Sequence, residues 1–358
     1  MIFPTTVRTQ NYPTTIRPQK SSKMVNPSSQ GFSLDSNMDT MDTEEKQSCG
    51  TRQIIHRGIG GEATKPGEYP WNVALTKPDK TFFCGGVLLD NNHVVTAAHC
   101  IIGKQNMYKF GTNDVVVTIG AHDLKMRERH RITVAVKSIR VHPDWNPLLQ
   151  SYDADIAVLE LVKSVQYTDY IQPICLIEPN SPISSLTDGE VVGFGKSEKA
   201  NHETIAQRIN TPIQSNEKCI KSGQHESLVS HRAFCGGSAN GTGVCLGDSG
   251  SGLFVFKNGK FYLRGIVSAS LRGSLYGCNV NTYAVFTDVI KFHSWVKSGG
   301  VHEAETKVQQ LEAEIMNLRK QMAQRPSDLK SSNQGGMQKN NECECPDIGV
   351  LARGLDQS

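Results

Sequence analysis

The sequence of 358 residues predicts an all-β fold followed by a helical extension. Short runs in which apolar and polar residues alternate are bounded by turn-forming residues, as strands of antiparallel sheets are. A heptad pattern, typical of a helix that packs along one face, follows these runs. The strand runs are residues 68–75, 84–89, 93–100, 115–120 and 131–141, and the heptad pattern covers 301–325.

The length of the chain suits one domain with a tail on either side, because domains of about 100 to 250 residues are usual. The formal net charge of +3 is close to neutral, so composition gives no reason to expect nucleic-acid binding. The sequence contains no stretch that reads as a transmembrane span. We therefore expect neither a nucleic-acid nor a membrane partner.

The N-terminal segment 1–48 is rich in Thr, Pro, Ser and Gln, a composition that buries too little apolar surface to offset chain entropy. We expect a disordered linker, either an inert spacer or an O-glycosylated one. Residues 1–23 are polar and lack the apolar core of a signal peptide. We therefore expect a fragment of a longer precursor, with loss of a signal peptide as the alternative.

Ser249 lies in the stretch Gly-Val-Cys-Leu-Gly-Asp-Ser-Gly-Ser-Gly, residues 243–252. A serine hydroxyl acts as a nucleophile when a base takes its proton, an acid orients that base and donors stabilise the oxyanion. Suitable contexts surround His99, in Thr-Ala-Ala-His-Cys, and Asp155, in Asp-Ala-Asp-Ile-Ala. Ser249, His99 and Asp155 are therefore the predicted catalytic residues.

The order His, Asp, Ser resembles that of the chymotrypsin-like serine proteases and differs from that of subtilisins and α/β-hydrolases. The resemblance runs from about Cys49 to Ser298. It implies a domain over 58–298 made of two packed six-stranded antiparallel β-barrels and a C-terminal helix. It also implies a secreted protein with disulfides. The stretch around Ser249 and the uncharged pocket resemble those of initiator proteases of arthropod immune or developmental cascades, such as the modular type.

The resemblance assigns partners to eight of the ten cysteines. The implied disulfides are Cys49–Cys175, Cys84–Cys100, Cys219–Cys235 and Cys245–Cys278. Cys343 and Cys345 remain, and we expect them to form intermolecular links.

Members of the family are activated by a cut after a basic residue, which frees an N-terminal isoleucine whose amine pairs with the aspartate beside the nucleophile. The resemblance places this cut after Arg57, at the end of a propeptide segment over 49–57, and makes Asp248 the partner. The freed residue here is Gly58, so roughly 1.5 to 3 kcal/mol of side-chain burial is missing. We expect either weak activation or a cut elsewhere, with Arg52 as the other nearby basic residue.

The oxyanion hole and the S1 pocket follow from the same resemblance. The backbone amides of Gly247 and Ser249 correspond to the oxyanion hole. The pocket floor, an aspartate in trypsin-like members, is Gly243, and the other predicted pocket residues are Ser268, Ser270 and Ala284. Because a buried cation needs a counter-charge, we expect a preference for apolar or aromatic side chains before the cut bond.

Basic residues are concentrated between two predicted strands. They form either an anion-binding exosite for a protein partner or polyanion, or a solvated loop. The loop opens with Gly-Ala-His-Asp over 120–123 and lacks the first carboxylate of the calcium site in trypsin, so we expect no metal and no cofactor. The predicted exosite residues are Lys125, Arg127, Arg129 and Arg131.

Asn240 begins an N-glycosylation motif.

The heptad pattern over 301–325 is flanked by charged residues, which favours a short coiled coil and self-association. About three heptads are marginal alone, so an amphipathic helix packed elsewhere is the alternative. Pro326 ends the pattern, and 326–358 is predicted to be a disordered tail. The apolar heptad residues are Val301, Ala304, Val308, Leu311, Ile315, Leu318 and Met322.

The sequence as a whole predicts a secreted zymogen that cleaves peptide bonds in a proteolytic cascade. Its expected partners are a protein substrate, an upstream activating protease and a serpin-type inhibitor. The alternative is a non-catalytic homologue that acts as a scaffold or cofactor through the basic loop and the coiled coil. The intact set of catalytic residues favours the enzyme, whereas Gly58 and the unusual Ser-Ala-Ser over 268–270 keep the alternative open.

Overall fold

The computed structural model describes residues 49–52, 62–195, 204–221, 228–241, 243–245, 247–270, 279, 281–301 and 303–323. The linker 1–48, Arg57, Gly58, Cys278 and the tail 326–358 lie outside the described residues. Most of the regular structure is strand. In chain order the strands are β1 (Glu62–Ala63), β2 (Asn72–Thr76), β3 (Phe82–Leu88), β4 (His93–Thr96), β5 (Val116–Ile119), β6 (Ile132–Val141), β7 (Ala157–Leu161), β8 (Cys175–Leu176), β9 (Gly189–Gly193), β10 (Gln207–Asn210), β11 (Ile213–Gln214), β12 (Ala233–Gly236), β13 (Gly252–Lys257), β14 (Lys260–Ala269) and β15 (Ala284–Asp288).

Six strands of the N-terminal half form a closed barrel in the order β2-β3-β4-β7-β6-β5. The barrel closes because β2 pairs antiparallel with both β3 and β5. Val73, Leu75, Val117 and Ile119 on the paired strands β2 and β5 are completely buried. A strand forms within each of the five predicted runs, but the run 68–75 is strand only from Asn72, and the run 93–100 is strand only over His93–Thr96, because Ala98–Cys100 form a 3₁₀ turn.

The C-terminal half forms a second sheet in the order β1-β10-β9-β13-β14-β15-β12-β11, with β8 added to β14. Strand β10, which lies next to the two-residue end strand β1, and strand β11 at the other end are separated in sequence by only Thr211 and Pro212. Proline cannot donate to a ladder, which accounts for the break between them. Since neighbouring segments of the chain lie at both ends, the sheet must curl round on itself, and the all-β prediction with two barrels is confirmed.

The two sheets meet at a seam of aromatic side chains. Trp71, just before β2, is completely buried, and its ring centroid lies 5.8 Å from that of Phe254 and 5.3 Å from that of Phe261. Phe254 belongs to β13 and Phe261 to β14. Removing a buried aromatic ring typically costs about 3 to 5 kcal/mol, so this contact strongly joins the two halves.

Three of the implied disulfides are present: Cys49–Cys175, Cys84–Cys100 and Cys219–Cys235. Cys245 is also disulfide-bonded, while its implied partner Cys278 lies outside the described residues. The first disulfide holds the segment at Cys49 on the domain.

Three α-helices are described: α1 (Asn216–Lys221), α2 (His293–Lys297) and α3 (Glu303–Ala323). Helix α3 lies within the heptad segment 301–325, so a helix forms where the pattern predicted one. No helix in the described part of the chain combines the length and apolar character needed to cross a membrane.

Candidate active site

His99 and Asp155 form a direct pair at the end of the first barrel. His99 lies in a short 3₁₀ turn after β4, and Asp155 lies just before β7, the strand paired with β4. One carboxylate oxygen of Asp155 is 2.7 Å from Nδ1 of His99, and the other accepts the backbone N–H of His99 at 2.7 Å. With Nδ1 held by the carboxylate, Nε2 is the ring atom left to accept a proton.

Asp155 is completely buried and receives two further hydrogen bonds from the second barrel. The hydroxyl of Ser268 on β14 donates to its Oδ2 at 2.5 Å, and Thr287 on β15 donates to its backbone carbonyl at 2.8 Å. The structure thus places Ser268 beside the carboxylate, and not on the pocket wall where the sequence had suggested it. Four donors around one buried carboxyl residue fix its orientation towards His99.

Ser249 lies where the second barrel touches the first. Its carbonyl accepts the N–H of Gly85, on β3, at 2.8 Å, and the next residue, Gly250, donates to Val267 O at 2.9 Å. Gly250 has φ +79°, and a Cβ there would lie 2.3 Å from Thr96 Oγ1 and 3.3 Å from Cys100 Sγ. Because Cys100 directly follows His99, this close packing, which only glycine allows, brings Ser249 alongside the histidine.

Ser249 and His99 are both partly exposed, as a nucleophile and its base must be. Among the residues that the structure describes, no hydrogen bond joins Ser249 Oγ to His99 Nε2. Bonds of this kind are often long before substrate binds.

The oxyanion hole predicted from the sequence consists of two backbone amides on one turn. Gly247 has φ +97°, a backbone conformation that favours glycine. Within the described part of the chain, no acceptor takes a hydrogen bond from the amides of Gly247 or Ser249. Both donors are therefore available to a negative oxygen.

Asp248, between these two amides, points into the protein. Its side chain accepts the N–H of Gly195 at 2.9 Å and of Cys245 at 2.8 Å, and the residue is 2% exposed. No cationic side chain among the described residues pairs with it. Burial consequently raises its pKa to about 6.

This raised pKa has a measurable consequence for the uncleaved chain. Between pH 4 and 6 the folded protein keeps a proton on Asp248 that the unfolded chain releases, so rising pH costs folded-state stability. Relative to the parent, Asp248→Asn should gain roughly 2 to 3 kcal/mol of unfolding free energy between about pH 4 and pH 7. Urea unfolding at several pH values would measure this difference.

Asp79 supplies the control for that experiment. It is exposed, and backbone and side-chain hydrogen bonding with Thr81 lowers its pKa. Its carboxyl is almost fully ionised in both states above about pH 5, so between pH 5 and pH 7 the difference between parent and Asp79→Asn should stay constant. A constant difference for Asp248→Asn as well would contradict the buried, unpaired carboxyl.

Gly243, Ser270 and Ala284 line one cavity in the second barrel, together with Tyr283 and Asn279. Every described residue lining this cavity is uncharged. Three of the four residues predicted for the S1 pocket are thus brought together, and Ser268 is not.

A lysine that sequence reasoning missed joins two loops beside His99. Lys104 Nζ donates to the carbonyls of Leu149, at 2.8 Å, and Ser151. It also lies 4.3 Å from the ring centroids of both Trp145 and Tyr152. The Tyr152 ring in turn stands edge-on to His99 at 6.1 Å. No sequence signal marks this contact, because the two loops are distant in the chain.

We expect Lys104 to position Tyr152, and through it the wall of the cleft next to His99. In the activated enzyme, Lys104→Met should lower kcat/KM for an extended peptide about tenfold, mainly by raising KM. The cation–π contacts and the hydrogen bonds of Lys104 together contribute about 1 to 2 kcal/mol. Lys104→Arg should restore most of the loss, as measured by steady-state kinetics. An equal fall in kcat for both variants would contradict a positioning role.

The basic loop is only partly as predicted. Lys125, Arg127 and Arg129 are exposed, whereas the guanidinium of Arg131 donates to the carbonyls of Asp123 and Leu124. Arg131 therefore supports the loop itself, because it satisfies two carbonyls of that loop.

Asn240 is exposed, as a glycosylation site requires.

The cluster of metal-ligating residue types found among the described residues is Cys84, His99 and Cys100. The two sulfurs are joined in a disulfide and cannot act as thiolate ligands.

Two β-barrels with a histidine and aspartate from one and a serine from the other define the chymotrypsin-like class of serine hydrolases. Residues 58–296 match the family model described as Trypsin. The chain therefore belongs to the trypsin family, and the resemblance seen in the sequence is confirmed.

Curated relatives agree with this assignment. The chain is 32% identical to serine protease gd of Drosophila melanogaster over 269 residues, which are 64% of this chain and 50% of that protein. It is 28% identical to phenoloxidase-activating factor 1 of Holotrichia diomphalia, over 70% of this chain and 71% of the relative. It is 32% identical to vitamin K-dependent protein C of Mus musculus, over 68% and 51%. The matched region thus spans about half the length of two of these relatives.

Proposed function

We propose that this protein is a serine endopeptidase that works through an acyl-enzyme. The observation that carries the proposal is the hydrogen-bonded His99–Asp155 pair together with the close packing of Gly250, next to Ser249, against Thr96 and Cys100, next to His99. His99 Nε2 takes the proton of Ser249 as Oγ attacks the peptide carbonyl, and the amides of Gly247 and Ser249 bind the resulting oxyanion. His99 then passes the proton to the departing amine, and water releases the acyl group by the same steps.

The buried carboxyl of Asp248 supports a zymogen. A cut after Arg57 creates a new amino terminus at Gly58, and its ammonium group would give Asp248 a cationic partner, which none of the described side chains supplies. That contact would hold the turn carrying the two amide donors. Because Gly58 contributes no side chain, we expect the ion pair to supply most of the free energy that stabilises the active conformation after the cut.

Arg52 is poorly suited to be the alternative cleavage site. Its guanidinium lies 4.6 Å from the ring centroid of Phe261 and 3.6 Å from a carboxylate oxygen of Glu68. An activating protease would have to pull this side chain out of both contacts. The Cys49–Cys175 bridge then keeps the propeptide attached after the cut at Arg57.

The uncharged cavity at Gly243 supports a preference for apolar or aromatic residues before the cut bond. Gly243→Asp should raise kcat/KM for an Arg substrate at least roughly tenfold relative to a Leu substrate, since the buried cation gains a counter-charge. Gly243→Asn, of the same size without the charge, is the matched control. Cleavage of Arg substrates in preference to Leu or Phe by the parent enzyme would contradict the proposed pocket.

The relatives support a setting outside the cell, in a cascade. One of them, to which the chain is 28% identical, is named as an activating factor of phenoloxidase. By analogy we propose a secreted protein that receives its cut from an upstream protease, acts on a protein substrate in an immune or developmental cascade and is controlled by a serpin-type inhibitor. The exposed cations Lys125, Arg127 and Arg129 are the candidates for an exosite in this setting.

Covalent labelling tests the proposal directly. In a chain whose residues 53–57 carry an enteropeptidase recognition sequence, labelling of Ser249 by a fluorophosphonate should be weak before cleavage and strong afterwards. Ser249→Ala shows the background. Complete cleavage without labelling would favour the alternative, a non-catalytic homologue that acts as a scaffold or cofactor.

A further inference from the structure

Helix α3 presents a row of apolar side chains to solvent. Val308, Leu311, Ile315 and Leu318 are 54, 58, 48 and 52% exposed. Their spacing alternates between three and four residues, which places them on one face of the helix. A contiguous row of exposed aliphatic residues marks a surface built for a partner.

The residue types on this face identify the partner. The β-branched residues Val308 and Ile315 occupy position a of the heptad, and Leu311 and Leu318 occupy position d. This distribution favours two parallel helices over three or four. The surface is therefore suited to a second copy of the same helix.

Charged residues beside the apolar row are complementary in such a pair. In two parallel helices in register, position g of one heptad faces position e of the next heptad in the other copy. Glu314 occupies g and Arg319 the following e, and both are exposed. The preceding heptad repeats this relation in the sequence, with Lys307 at g and Glu312 at e.

Neither Glu314 nor Arg319 has a charged residue three or four positions away in its own helix. Their charges therefore do not serve to stabilise the isolated helix through ion pairs of that kind. An ion pair with another chain would give both Glu314 and Arg319 a partner of opposite charge.

We propose that residues 301–323 form a parallel two-stranded coiled coil between two copies of this chain, with Glu314 of each copy paired with Arg319 of the other. The pairing is independent of the catalytic activity.

Sedimentation equilibrium of the full chain, in a Ser249→Ala background that prevents self-cleavage, tests the pairing. By two-fold symmetry, Glu314→Arg or Arg319→Glu alone creates two like-charged pairs, and each should raise the dimer Kd about tenfold. The double variant restores opposite charges and should return to within about threefold of the parent. Lys320→Glu, at the outward position f, is the matched control and should leave the Kd unchanged.

Leu311→Asp places a charge in the proposed interface and should abolish the dimer. A parent chain that stays monomeric at every concentration would overturn the proposal, as would a trimer. A double variant weaker than both single variants would also overturn it, because antiparallel helices would lose both sets of charge pairs.

Discussion

Replacement of Ser249 by alanine should lower kcat of the cleaved enzyme by about 10⁶-fold, since removing the nucleophile eliminates the acyl-enzyme route. The oxyanion donors are backbone amides and remain, so a residual rate about 10³ to 10⁴ above that in water is expected. Steady-state hydrolysis of a peptide with an apolar residue before the cut bond would measure both.

Ser251→Ala is the matched control, because this serine lies two residues further along the same turn. Ser251 is completely buried, and its hydroxyl has no hydrogen-bond partner in the described structure. Its removal should leave kcat within about threefold of the parent, since no satisfied bond is lost. Comparable losses in the two variants would mean that the turn, and not the Ser249 hydroxyl, was disturbed.

Asp155→Asn should lower kcat by about 10⁴-fold at neutral pH. The amide keeps the shape of the side chain, but it no longer carries the charge that stabilises the imidazolium of His99. It can also donate to Nδ1, which places the proton of the neutral ring on Nε2, where it blocks uptake from Ser249. Kinetics of the cleaved variant between pH 6 and pH 10 would test this.

Ser268→Ala removes one donor from Asp155 without changing its charge. Loss of one buried hydrogen bond to a charged group costs about 1.5 to 3 kcal/mol, so a decrease in kcat of roughly ten- to a hundredfold is expected. If Asp155→Asn cost no more than Ser268→Ala, the carboxylate would have an orienting role without an electrostatic one.

Local sequence patterns predicted much of the fold, but less of the contacts at the site. The runs 84–89 and 93–100 were recognisable because most of their residues are apolar and buried in the barrel, although 98–100 form a 3₁₀ turn and not strand. The His99–Asp155 contact joins residues 56 positions apart, and resemblance to a family, not local periodicity, brought them together.

Contacts specific to this chain were beyond the sequence. Ser268 was assigned to the pocket from the family resemblance, whereas the direction of its hydroxyl depends on how β14 packs against Asp155. Arg131 was assigned to the exosite from the sequence, and no sequence feature singled out Lys104. Lys104 donates to backbone carbonyls of another loop, and Arg131 donates to backbone carbonyls of its own loop. Such contacts produce no periodic pattern in the sequence.

The aromatic seam of Trp71, Phe254 and Phe261 has a consequence for how this protein can lose its function. Base and acid sit on one half of the molecule and the nucleophile on the other, so alignment for chemistry belongs to neither half alone. A small shift of one half relative to the other would misalign the base and the nucleophile and so inactivate the protein. Each half would still keep its own strands intact.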